Sequence, residues 1–139
     1  MIQERFSIGG SKVLRQSASD VLTIVAAGVT LFEALNAYDQ LKASGIHVRV
    51  IDLYSIVPID RTTLLDSARS THDRMLTVED HYAHGGLGDA VLSAVGPEGI
   101  KVHKLAVRVI PHSGKPEELV DHFGIGARSI VEAVKRIAT

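Results

Sequence analysis

The sequence contains no cysteine. That absence removes disulfides, thiolate nucleophiles and every Cys-based zinc or iron–sulfur site in one step, and a reducing cytoplasm is the default compartment. Aromatic residues are scarce, at 4%, while hydrophobic residues make up 45%. The core must therefore be built from Val, Ile, Leu and Ala, the palette of buried parallel strands and the helices that cover them. An excess of charge is also lacking: 15 Lys+Arg stand against 16 Asp+Glu, for a formal net charge of −1. So balanced a chain offers nucleic acid no electrostatic footprint. Nor is there a long apolar run. The longest, residues 21–29, is interrupted by Thr23 and falls far short of the roughly 18 residues of a membrane span. Met1-Ile2-Gln3-Glu4-Arg5-Phe6 contains no apolar stretch of signal-peptide length. The expectation is a soluble, cytoplasmic protein with neither nucleic acid nor membrane as partner. Its 139 residues suit one compact unit that buries roughly two-thirds of its unfolded surface.

What is present reads as alternating strands and helices. Val21-Leu22-Thr23-Ile24-Val25-Ala26-Ala27 is a continuous apolar run ending in Gly28, which fits a strand covered on both faces. Thr30 is placed to cap the next helix, with Glu33 three residues on completing a capping box. That helix carries apolar residues at Leu31, Leu35, Tyr38 and Leu41, and Gly45 ends it. A second strand over residues 47–53 completes a β-α-β unit, for which parallel pairing and a right-handed crossover are expected. Asp60 caps a short helix bearing Leu64, Leu65 and Ala68, Met75-Leu76-Thr77-Val78 is a buried strand, and Leu87, Val91, Leu92 and Val95 share a helix face. Pro97 and Gly99 break the chain, and the more polar residues 101–107 suit a strand at a sheet edge. Residues 108–115 read as a loop. Pro116 starts a helix that Gly124 closes, and a last helix turns Ile130, Val131, Val134 and Ile137 inward. Residues 1–20 form a lead-in segment with a first strand over residues 12–16, and residues 21–139 form the remainder of the same domain.

Three stretches carry residues of chemical interest. Gly28, Val29 and Thr30 follow a strand and open a helix, with Asp52 at the end of the next strand. This superficially resembles a dinucleotide site, yet the loop has one glycine where G-x-G-x-x-G has three, and a plain tight turn accounts for it. The second is Glu79-Asp80-His81-Tyr82-Ala83-His84-Gly85-Gly86 with Gly88 beyond. It admits a metal site, an acid–base pair, an anion pocket at a helix N-terminus, or simply a polar connection whose glycines serve backbone geometry. No local spacing of metal-ligand signature type is present. In the third, His112-Ser113-Gly114-Lys115 precedes a helix start; Lys115 suits a phosphate, but the full phosphate-loop pattern is absent and a solvated loop is the preferred explanation. The Ser, His and Asp residues form no nucleophile elbow.

The same stretches, taken in order, resemble the C-terminal domain of transketolase. The resemblance is carried by Val25-Ala26-Ala27-Gly28-Val29-Thr30-Leu31-Phe32-Glu33-Ala34-Leu35, by Val50-Ile51-Asp52-Leu53 running on to Val57-Pro58-Ile59-Asp60, by Thr77-Val78-Glu79-Asp80-His81 with Gly85-Gly86-Leu87-Gly88, and by Ser113-Gly114-Lys115-Pro116-Glu117-Glu118-Leu119 with Phe123-Gly124-Ile125. Related domains end deoxyxylulose-phosphate synthases and the β subunits of 2-oxoacid dehydrogenase E1 components. One departure is Gly126, where an Asp cap for the last helix is expected.

The resemblance implies a three-layer α/β/α fold with a five-stranded mixed sheet, strand order 1-3-2-4-5 and strand 1 antiparallel. In such a sheet the loops at Gly28, Val29 and Thr30 and at Glu79, Asp80, His81, Gly85 and Gly86 flank a topological switch point, where open α/β sheets bind ligands; with Ser113 and Lys115 they are candidates for a ligand crevice or a domain interface. Transketolase transfers a two-carbon ketol unit between sugar phosphates, using thiamine diphosphate and a divalent metal, Mg or Ca. The resemblance places the cofactor, metal and catalytic Glu in the other, upstream domains of a homodimeric parent enzyme. No catalytic, cofactor-binding or metal residue carries over, since Gly88-Asp89 is followed by Ala90 and no G-D-G…N stretch occurs. The expected role is thus assembly, as a fragment or separate subunit that is inactive alone. A nucleotide- or small-ligand-binding regulatory module, and a docking domain of a related thiamine-diphosphate enzyme, are the alternatives.

Overall fold

The computed structural model describes residues 10–80, 86–107 and 116–138, without the side chains of residues 116–125. Five strands, β1 (Ser11–Arg15), β2 (Thr23–Ala26), β3 (Arg49–Leu53), β4 (Arg74–Asp80) and β5 (Lys101–Val107), form one sheet in the order β1-β3-β2-β4-β5. β1 runs antiparallel to β3, with Lys12 opposite Asp52, and the remaining pairings are parallel. Four helices complete the fold: α1 (Val29–Ala43), α2 (Arg61–Arg69), α3 (Leu87–Val95) and α4 (Pro116–Ala138).

The period-2 geometry of a strand divides its side chains between two cores. Leu22, Ile24, Ala26, Val50, Leu76 and Val78 pack with Ala34, Ala37 and Leu41 of α1 and with Ala127, Ile130, Ala133 and Val134 of α4. On the opposite face Val25, Ile51, Leu53 and Met75 pack with Leu64, Leu65 and Ala68 of α2 and with Val91 and Val95 of α3. The sheet is therefore the middle of three layers, and small Ala side chains let α1 and α4 approach it closely.

Helix ends follow local chemistry. Asp60 caps α2 as expected, its Oδ1 accepting the Thr63 N–H at 3.1 Å, while Oδ2 accepts the hydroxyls of Thr63 and Ser11 at 2.7 Å each. α1 ends in paired bonds from Gly45 N to Lys42 O at 3.0 Å and from Ile46 N to Leu41 O at 2.8 Å, the pattern of a Schellman motif. β5 lies at the sheet edge with mostly exposed and half-buried residues, as its polar sequence implies.

Several expectations are corrected. Thr30 and Glu33 form no capping box: α1 begins two residues earlier, Gly28 is its N-cap, and no side chain bonds the cap. Both residues are instead buried, with Ala34, Ala37 and Leu41, whereas Leu31, Leu35 and Tyr38 only flank the core. The buried stripe is thus rotated towards small and polar residues because α4 packs there. Leu92 is largely exposed on α3. Gly124 does not end a helix, and Gly126 is not an N-cap: both lie within the single helix α4. The loop expected over residues 108–115 lies outside the described residues, as does the lead-in before residue 10.

Candidate functional site

The sheet order makes β2 and β4 neighbours whose connections leave in opposite directions, α1 towards β3 on one face and α3 towards β5 on the other. Between their carboxyl ends lies a crevice of about 250 Å³ lined by Ala27, Gly28, Val29, Thr30, Val78, Glu79, Asp80 and Leu87. Of the residues singled out in the sequence, Gly28, Val29, Thr30, Glu79 and Asp80 line it. Gly28 supplies the turn, with φ at +59°, a conformation that side chains with a Cβ rarely adopt. It lets the chain leave β2 and enter α1 at once.

Thr30 ties the crevice walls together. Its hydroxyl lies 2.8 Å from the Ala27 carbonyl and 3.1 Å from the Val78 carbonyl, its proton shared between them, and it accepts the Ala27 N–H at 3.2 Å. Glu79 closes the far side: its Oε1 accepts the N–H of Gly86, the N-cap of α3, at 2.9 Å. A carboxylate is well placed there, against the positive end of the helix dipole.

Among the described lining residues there are two carboxylates and no Lys, Arg or His. Such a lining repels anions, so a phosphate or pyrophosphate gains nothing from the described walls. Exposed apolar residues occur on the segments that follow the carboxyl ends of β2 and β3: Val29 is 43%, Phe32 65% and Val57 85% exposed. Asp52, the residue in the position of a ribose-binding acid, is taken up by the sheet opposite Lys12 and Ala26. Burial pushes its carboxyl up, with Lys12 pulling it partly back. His81, Gly85, Ser113 and Lys115 lie outside the described residues.

Residues 11–130 match the family of the transketolase C-terminal domain. The chain belongs to that family. Transketolase-like protein 1 of Macaca fascicularis is 54% identical over 134 residues, covering 96% of this chain and 22% of that protein. Transketolase of Mus musculus is 51% identical over 137 residues, covering 98% of this chain and 22% of that protein. Among solved structures, a split-gene transketolase described as an inactive β4 tetramer superposes with a TM-score of 0.76 at 40% identity, covering 96% of this chain and 43% of that one. A 2-oxoglutarate:ferredoxin oxidoreductase from Magnetococcus marinus shares the fold, with a TM-score of 0.65 at 15% identity over 94% of this chain and 20% of that one. This transketolase C-terminal domain thus spans about a fifth of the curated relatives' length.

The transketolase family uses thiamine diphosphate. The described crevice residues do not fit that group. A diphosphate and its metal need clustered carboxylate or imidazole ligands together with anion donors, and no described group of three or more such ligands is placed to hold a metal. The crevice carboxylates disfavour the diphosphate itself. No described helix is long and apolar enough to cross a membrane.

Two features escaped sequence reasoning. Glu33 is fully buried, with Oε1 accepting the Ala127 N–H at 3.1 Å and Oε2 unpartnered among the described residues. Burial raises its pKa to about 7, against the opposing backbone N–H groups of Ala127 and Gly126. A Cβ on Gly126 would collide with the Glu33 carboxylate, so this glycine answers a side chain and not a cap. The second feature is a basic cleft beside β5, whose signal was the alternation Lys101-Val102-His103 followed far downstream by Arg136.

Proposed function

We propose that this chain is the C-terminal part of a transketolase that transfers a two-carbon ketol unit between sugar phosphates, and that its role there is assembly. The observation that carries the reading is coverage: transketolase sequence runs through nearly all of this chain but only about a fifth of each curated relative. Thiamine-diphosphate chemistry then falls to the remaining, upstream domains, supplied by the same polypeptide or by a separate subunit in a cytoplasmic homodimer-based enzyme. The split-gene relative, inactive as a β4 tetramer, supports a division of the enzyme into pieces that are silent alone.

The carboxyl edge of the sheet is the docking surface in this reading. Its exposed Val29, Phe32 and Val57 bury apolar area on assembly, and the Thr30 tie holds the edge in shape. Exposed large apolar residues suit an interaction surface. Residues 1–20 serve as the lead-in from the preceding domain.

Size-exclusion chromatography of the chain mixed with the complementary transketolase polypeptide tests the assignment. Co-elution that Phe32→Asp or Val57→Asp prevents is expected. Separate elution of the wild-type chain would contradict it.

A further inference from the structure

A second cleft lies at the other end of the sheet from the crevice. It encloses about 610 Å³ between β4, β5 and the last turns of α4, with Leu76, Leu105, Ala133 and Ile137 as its apolar floor. Its walls are basic. Arg74 comes from β4, Lys101 from β5 and Arg136 from α4, with His72 and His103 between them. Asp73 is the one carboxylate among the described lining residues. Lys104, also at the wall, is already engaged by Asp89 at 2.7 Å.

We propose that this cleft binds a small phosphate-bearing anion, held by Arg74, Lys101 and Arg136 with His72 and His103 alongside.

Three observations support a built site over a chance patch. First, Arg74 is fixed in place: its Nε donates to the Val21 carbonyl at 2.7 Å and its Nη1 to the Ile137 carbonyl at 3.3 Å. The guanidinium is thereby held before any ligand arrives, and it occupies a carbonyl at the C-terminal end of α4 that would otherwise repel an anion. Second, the cations come from three separate elements and meet around one imidazole. Burial first, and then the charges of Lys101, Arg136 and Arg74, hold the His103 pKa below the usual histidine value. Among the described residues neither Lys101 nor Arg136 takes part in an ion pair. Third, the turn that carries His72 to the rim has positive φ at two successive non-glycine residues, 63° at His72 and 58° at Asp73, a costly conformation maintained by the Lys101 N–H bonding to the Asp73 carbonyl at 2.9 Å. A phosphate group, with two negative charges and several acceptor oxygens, matches converging cations better than a single carboxylate does. The volume suits a small metabolite. The inference is independent of the transketolase assignment.

An anion seated here offsets the cations around His103 and raises its pKa. Apart from that histidine, the described titratable and charged groups facing the cleft are His72, Asp73 and Arg74 from β4 and its turn, Lys101 and Lys104 from β5, and Arg136 from α4. The test is an NMR titration of the His103 ring in the intact chain, using ribose 5-phosphate and inorganic phosphate as probes, with ribose and sodium chloride at matched ionic strength as controls. A saturable shift with the phosphate-bearing probes is expected, together with a raised His103 pKa. Lys101→Gln and Arg136→Gln, both at exposed positions, are expected to weaken binding about tenfold each, and Lys42→Gln on distant α1 to leave it unchanged. The proposal is overturned by the absence of a saturable shift, by the same shift with sodium chloride, or by undiminished affinity in the Lys101 and Arg136 variants.

Discussion

The backbone N–H of Ala127 donates to Oε1 of Glu33 at 3.1 Å across 94 positions of sequence. This bond joins α1 to α4 inside the core, and it places an ionisable group where no other described polar atom meets its second oxygen. Its consequence is a dependence of stability on pH. The folded pKa, about 7, lies above the unfolded value of 4.5, so between these values the native state holds a proton that the unfolded state releases. Glu33 therefore lowers stability as pH rises from about 4.5 to about 7, with little further change above. Glu33→Gln removes this slope. Urea melts at pH 5, 6, 7 and 8 are expected to show wild type losing ground to the variant as pH rises, and parallel curves would contradict the account.

Gly126 tests the same contact from the other side. Alanine normally favours a helix interior over glycine by about 1 kcal/mol, but here its Cβ runs into the Glu33 carboxylate. Gly126→Ala is expected to destabilise by roughly 1–3 kcal/mol, as overpacking does. In the background of Glu33→Ala the obstruction is gone, and the same change becomes neutral or favourable. Chemical denaturation of the four proteins gives the coupling, and additive effects would refute the contact.

Thr30→Val keeps the shape and removes the hydroxyl that bridges Ala27 and Val78. A buried Val78 carbonyl and the half-buried Ala27 N–H lose this partner, at a cost of about 1–3 kcal/mol. Hydrogen exchange at the start of α1 and the end of β4 is expected to accelerate together, since both crevice walls share the tie.

Asp60→Ala removes the α2 cap and the bond to Ser11, for an expected loss of about 1–2 kcal/mol. Hydrogen bonds from Ser11 and Thr63 overcome the burial that would raise its pKa and hold the Asp60 carboxyl below its ordinary value. Its contribution is thus present above pH 3.8 and is lost as pH falls through the depressed folded value. Acid unfolding of the variant is expected to show a shallower dependence on pH in that range.

The sequence revealed much of this architecture because local signals agreed with the tertiary outcome. The apolar β2 run, the Asp60 cap and the polar β5 edge all read correctly, and resemblance supplied the strand order. Thr30 and Glu33 misled because a capping box and a buried polar pair share one spacing; only α4, distant in sequence, decides between them. Gly124 looked like a terminator because glycine commonly ends helices, although the helix runs on through it. The crevice loops at Gly28–Thr30 and at Glu79, Asp80 and Gly86 were legible as neighbours, because switch-point geometry follows from strand order. The basic cleft was not, since its cations lie on β4, β5 and α4 and converge only in the folded sheet.

In the proposed function this domain completes a transketolase without performing its chemistry. The direct measurement is turnover of xylulose 5-phosphate and ribose 5-phosphate, with thiamine diphosphate and Mg²⁺ present, by this chain alone, by the complementary polypeptide alone and by their mixture. Activity that rises with this chain only in the mixture, and falls with Phe32→Asp, is the predicted result. Turnover by this chain alone, or a mixture no more active than the complementary polypeptide, would contradict the account.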